Sequence, residues 1–189
     1  MKKGVKRSIL LVSLAAVLAG VVGVVWVTHR PGLPTNQLKS NVQPVSVAPM
    51  IGYRVPLFSL PSFPDTKPLS LADYQGKAVL INFWASWCPP CQSETPDLVK
   101  ASAKYGDKVQ FIGVNLTSQD SLPDVSAFLE KYGIKYPIAL DTKGTVAQQF
   151  QTMGIPTSFF VNRQGIIVER YVGAITPQVL EEDLQKISQ

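Results

Sequence analysis

The sequence predicts an α/β fold: a mixed sheet flanked by helices and preceded by one N-terminal transmembrane helix. Three observations predict it. Strand-length apolar runs alternate with segments of helical spacing between about residues 77 and 151. A hairpin and one more amphipathic helix close the chain, and an uncharged stretch of twenty residues, 8–27, stands near its start. At 189 residues the chain has room for one ordinary domain plus extras.

The N-terminal arm explains the net charge of +5. Residues 1–64 carry seven of the eighteen basic side chains and no acid, which leaves eleven against all thirteen acidic residues in the remainder. The folded part is near neutral, so no nucleic-acid partner is called for. The stretch 8–27 is dominated by Val, Leu, Ala and Ile, and a helix of that length spans about 30 Å of hydrocarbon. Lys2, Lys3, Lys6 and Arg7 precede it, while His29 and Arg30 follow, with Trp26 placed as an interfacial anchor. The charge bias puts the N-terminus in the cytoplasm and the rest outside. A cleaved signal peptide is the alternative, but its apolar region runs only about 7–15 residues before a small-residue site. Val24-Val25-Trp26-Val27 is a poor such site, and no Cys lies just after it for a lipoprotein anchor. The division expected is a cytoplasmic stub at 1–7, an anchor helix in the bilayer at 8–28, an extracytoplasmic linker at 29–54 and a domain at 55–189. The linker is rich in Pro, Asn, Gln and Ser and without period, an extended tether.

Within the domain, residues 57–75 mix short apolar pieces with prolines and Asp65, which suggests an edge hairpin. The run 77–84 (KAVLINFW) fits a central strand buried on both faces. A helix follows Cys88 to about Tyr105 and stops at Gly106; 109–116 is a second buried strand. Residues 121–132 are helical through Val125, Phe128 and Leu129, ended by Gly133, and 136–140 is a short strand. Residues 145–151 form a short helix. The stretches 157–162 and 166–172 around Arg163-Gln164-Gly165 form a hairpin, and a last helix opens with Pro177.

The chemistry lies in Trp87-Cys88-Pro89-Pro90-Cys91, which holds the only two cysteines of the chain. A structural zinc site needs four ligands, and the lone His29 is far from the pair, so no metal is expected. Haem attachment needs His directly after the second Cys, where Gln92 stands. A purely structural disulfide closing so short a loop restricts the unfolded chain little. The context favours a redox dithiol on a strand-to-helix turn, which requires no cofactor. The unsatisfied amides and dipole of a helix start stabilise a thiolate at Cys88. Pro89 and Pro90 fit the first helical turn, where a missing N–H costs little, and stiffen the link between the sulfurs. Cys88 is expected exposed at the helix tip as the attacking thiol, and Cys91, one turn in, as the resolving one. Trp84 and Trp87 are ordinary packing residues, Trp87 with a role as contact surface.

The segment from Val79 to Cys91 resembles the active-site strand and turn of the thioredoxin superfamily, and more narrowly its membrane-anchored TlpA/ResA-like branch. The resemblance covers about 55–189 and implies a thioredoxin-like fold. It implies the same nucleophile and resolver, a helix-kinking proline at Pro96, and an inserted helix at 121–132. By the residues alone Pro156 reads equally as a trans proline opening the strand at Thr157, whereas the resemblance makes Ile155-Pro156 the cis-proline loop beside the dithiol, whose free backbone edge pairs with an extended client. One departure matters. Thioredoxin carries a buried Asp where Asn82 stands here, and an amide cannot take the proton of Cys91. Glu94 is the implied replacement, a carboxylate with a raised pKa, although a first-turns Glu interacting with the helix dipole is the plainer reading. The branch also implies function: a protein disulfide reductase acting on clients such as apocytochrome c during cytochrome c maturation, recharged by a membrane thiol protein as electron donor. Pro89-Pro90 lacks the His found between the cysteines of strong oxidants. A thiol oxidase, a peroxidase and a non-catalytic client-binding module remain as alternatives. The peroxidatic Pro-x-x-x-Thr-x-x-Cys setting is absent before Cys88.

Overall fold

A computed structural model describes residues 46–189. The expected stub 1–7, the anchor helix 8–28 and most of the linker lie outside the described residues, and no helix among those described is long and apolar enough to cross a membrane. The linker expectation needs one correction. Residues 46–54 are paired with the domain: Arg54 bridges both Val47 and Ile166, and the Gly52 and Val55 amides donate to the carbonyls of Ile167 and Gly165. Isolated bridges of this kind need no alternating pattern, so they left no period in the sequence.

Seven strands form one mixed sheet. In chain order they are β1 (Ser59–Phe63), β2 (Pro68–Ser70), β3 (Ala78–Trp84), β4 (Val109–Asn115), β5 (Ile138–Leu140), β6 (Thr157–Val161) and β7 (Ile167–Val172), with spatial order β2-β1-β5-β4-β3-β6-β7. β3 pairs parallel to β4 and antiparallel to β6, and every residue of β3 is buried, as a run that is apolar except for Asn82 leads one to expect. The helices are α1 (Pro89–Tyr105), α2 (Leu122–Tyr132), α3 (Thr145–Gln149) and α4 (Pro177–Ile187).

The period of two in β3 divides the core. Val79, Ile81 and Phe83 meet Val146 and Ala147 of α3 and Phe150 just after it. Ala78 and Leu80 meet Leu98 and Ala101 of α1 and Leu180, Leu184 and Ile187 of α4. Trp84, at the end of the same face, stacks on Phe128 of α2 at 4.5 Å, so α2 roofs the segment that leads to the cysteines. The helix ends follow local chemistry. Ser121 and Thr176 cap α2 and α4 by accepting from backbone amides of Asp124 and Val179. Gly133 closes α2 at φ 66°, where its N–H reaches back to Glu130 and Leu129. A Cβ there meets open space but suffers the left-handed backbone penalty, so Gly133→Ala is expected to lower unfolding free energy by about 1 kcal/mol. Urea denaturation checks it; an unchanged midpoint would refute the strain.

Candidate active site

Two crossing elements build the site. β3 ends at Trp84 and the chain turns through Ala85, Ser86 and Trp87 into α1, while the loop before β6 lies alongside because Phe83 pairs with Thr157. Cys88 is the N-cap residue of α1, with Pro89 and Pro90 opening the helix. Its Sγ accepts the Cys91 amide at 3.2 Å, which is the helix-start contact that favours negative charge on sulfur. Cys88 and Cys91 are joined as a disulfide, with Cα atoms 5.2 Å apart.

The expected exposure of Cys88 is corrected by this geometry. The residue is only 2% accessible, scarcely more open than Cys91. In the disulfide its sulfur turns inward toward Cys91, and the Ile155 carbonyl oxygen lies 3.6 Å away on the other side. What is exposed is the collar around the pair. Pro89 and Pro90 are on the surface, Trp87 is 53% accessible and Met153, two residues before Ile155, is 96% accessible. The Trp87 indole N–H donates to the Gln119 carbonyl, which fixes that ring as a rigid apolar face. The Ile155–Pro156 peptide is cis, and among the described residues the Ile155 backbone N–H has no backbone partner, leaving an open edge beside the sulfurs.

Glu94 lies one turn beyond Cys91 on α1 and is 3% accessible. Its Oε1 accepts from Asn82 Nδ2 at 2.8 Å and its Oε2 from the Ile175 amide at 3.0 Å. Burial pushes its pKa up from 4.5 to about 7, against the lowering effect of the Ile175 and Asn82 hydrogen bonds. The same Asn82 amide donates to Ser158 Oγ at 2.8 Å, its register partner in β6. Burial first, and the Glu94 charge second, also push up the Tyr136 phenol. Pro96 sits inside α1, and the Thr95 hydroxyl donates back to the Cys91 carbonyl at 2.7 Å. No group of three or more His, Cys, Asp or Glu side chains is arranged to hold a metal among the described residues.

The structure therefore gathers Trp87, Cys88, Pro89, Pro90, Cys91, Ile155 and Pro156 around one pair of sulfurs, with Glu94 buried behind it. Sequence reasoning missed Ser158, the Ile175 amide and Asp120. The first two reach Asn82 and Glu94 across 76 and 81 residues, and no local pattern marks them.

A two-cysteine helix start on a mixed sheet, faced by a cis-proline loop, defines a thiol–disulfide oxidoreductase of the thioredoxin superfamily. The chain belongs to the Redoxin family, whose profile matches residues 50–186. It is similar to the thiol-disulfide oxidoreductase ResA of Bacillus thuringiensis subsp. konkukian, 31% identical over 189 residues, which is all of this chain and 99% of that one. It is also similar to the thioredoxin-like protein YneN of Bacillus subtilis, 39% identical over 134 residues, 70% of this chain and 78% of the other. Among solved structures, a thioredoxin-family thiol:disulfide interchange protein from Chlorobium tepidum superposes with a TM-score of 0.65 at 30% identity, covering 72% of this chain and 96% of that one. StoA from Bacillus subtilis does so at 0.59 and 29%, over 68% and 96%.

Proposed function

We propose that this oxidoreductase is a membrane-anchored, extracytoplasmic reductant of protein disulfides that serves cytochrome c maturation. The observation that carries the exchange chemistry is the pairing of a Cys88 sulfur at a helix start with a buried carboxyl one turn past Cys91, whose pKa of about 7 lets it exchange a proton at neutral pH. The reductive direction rests on the resemblance to the ResA-like branch and on the absence of His between Cys88 and Cys91. In the reduced enzyme the Cys88 thiolate attacks a client disulfide. The client S–S bond breaks, its leaving sulfur departs as thiolate and takes up a proton, and a mixed disulfide forms. Cys91 passes its proton to the Glu94 carboxylate and attacks the Cys88 sulfur, which releases the second client thiol. The client gains two electrons and two protons, and Cys88–Cys91 becomes the disulfide that the structure holds. A membrane thiol protein then returns the dithiol. Apocytochrome c, whose haem-attachment cysteines must be thiols, is the client class proposed.

The client lies along the apolar collar and pairs with the open Ile155 edge, which reads backbone rather than sequence. An extracytoplasmic site of action is supported by the apolar stretch 8–27 with four positive charges before it. Redox titration tests the direction. The expected midpoint lies well below the roughly −120 mV of strong oxidants, with reduction of protein disulfides in solution. A midpoint near that value without any reduction overturns the reading. The full-length chain is expected to stay with membranes through an alkaline carbonate wash, and its release would overturn the anchor.

A further inference from the structure

Ser86, two residues before the attacking sulfur, is fastened through all of its polar atoms. Its N–H donates to Asp120 Oδ2 at 2.7 Å and its hydroxyl to Asp120 Oδ1 at 2.6 Å. Its carbonyl accepts from Gln92 Nε2 of α1 at 2.8 Å. Asp120 also accepts from Asn115 Nδ2 at 2.8 Å and from the Ser121 amide at 2.9 Å. Four donors thus converge on one half-buried carboxylate that comes from the connection between β4 and α2. The neighbouring Gln119 carbonyl holds the Trp87 indole, so consecutive residues 119 and 120 grip the consecutive pair 86–87. Burial alone would raise the Asp120 pKa, but the hydrogen bonds from Ser86, Asn115 and Ser121 outweigh it and hold the group below its ordinary value. It remains an anion across the working range.

We infer that Asp120 is a positioning residue for the exchange reaction: through Ser86 it locks the turn that seats Cys88 Sγ on the first amide of α1. The inference rests on Cys88 being the nucleophile. The geometry carries it because a N-cap sulfur is worth something only while the turn before it is held. Only Cys88 N to Ala85 O, at 3.3 Å, ties the sulfur-bearing residue's own amide to that turn. The other ties come from outside: the Gln92 amide on the Ser86 carbonyl, the Trp87 indole on Gln119, and the two charge-assisted bonds from Ser86 to Asp120, which are the strong class of hydrogen bond. The Asp120 carboxylate bonds to Ser86, Asn115 and Ser121 and makes no hydrogen bond to either sulfur. Its four donors are neutral and leave it a full negative charge, so loss of the grip and loss of the charge act on a Cys88 thiolate with opposite signs, and the direction of the pH shift separates them.

The sign of that balance can be tested. In Asp120→Asn the side-chain amide presents a donor to groups that are themselves donors, and the grip opens. In Ser86→Ala the carboxylate stays and one bond is lost. Both are expected to move the pH midpoint of Cys88 alkylation in the reduced protein upward, and to slow alkylation at pH 7 by about threefold or more. Ser86→Thr keeps the hydroxyl and should restore wild-type behaviour. Asp124→Asn should leave the profile in place: it removes the same charge from an exposed acid that holds Ser121 Oγ at 2.5 Å and does not reach Ser86. A downward shift in Asp120→Asn would mean that field dominates and overturns the positioning role. So would lowered thermal stability with an unmoved profile in both Asp120→Asn and Ser86→Ala. If Asp120→Asn fails to fold, Ser86→Ala against Ser86→Thr decides. An inert Cys88 in the wild type would instead remove the exchange function itself.

Discussion

Replacing Cys88 with Ser is expected to reduce turnover of protein disulfides to the uncatalysed background, a fall of about 10³-fold or more. A hydroxyl does not ionise near neutrality and cannot form a mixed disulfide, so neither the Cys91 amide in the first helical turn nor the Glu94 carboxyl can compensate. Cys91→Ser behaves differently. The first attack still occurs, but no resolving thiol follows, and the client stays bound to Cys88. Both variants lose the same short disulfide and so the same small conformational restraint. Equal melting temperatures with unequal chemistry therefore separate catalysis from folding. Gel mobility without reductant checks the trap: a stable adduct in Cys91→Ser and none in Cys88→Ser. Retention of client turnover by Cys88→Ser would restore the binding-module alternative.

Glu94→Gln is expected to flatten the pH dependence of stability between about pH 5 and 8. The carboxyl is buried and its folded value lies near 7, above the ordinary 4.5. Protonation therefore favours the folded state. The stability it contributes is full below pH 4.5, shrinks as pH climbs, and is gone above 7. The shift corresponds to about 3 kcal/mol across that window. Urea unfolding of both proteins at pH 5, 6, 7 and 8 measures it. The wild type should lose stability relative to the variant as pH rises; a constant difference would mean that Glu94 titrates like a surface carboxylate. The same substitution should remove the inflection near pH 7 from client turnover, because no proton acceptor remains one turn from Cys91.

The parts of this molecule that were legible in the sequence are those that local chemistry decides. A nearly continuous apolar run, broken only by Asn82, reads as a strand covered on both faces, and β3 is that strand. A Cys followed by two prolines is a helix start, and α1 begins there. Gly133 and Gly165 take left-handed conformations where the pattern asked for a stop and a hairpin turn. What escaped is held by distance. Nothing near Asp120 announces that it will receive Ser86 from 34 residues away, and nothing near Ser158 announces Asn82. Depth was also illegible. The pattern placed Cys88 on a helix tip and could not show that the disulfide and the Ile155 carbonyl enclose its sulfur. For Glu94 the helix position was readable, but the two amide donors that meet its oxygens depend on β3 and on the chain before α4.

Limited alkylation of the freshly reduced protein at neutral pH, with the labelled peptide identified by mass, addresses the nucleophile most directly. Label should enter at residue 88 well ahead of residue 91, and oxidation beforehand should block both. Faster labelling of Cys91, or a Cys88 that resists the reagent, would contradict the assignment of the attacking sulfur.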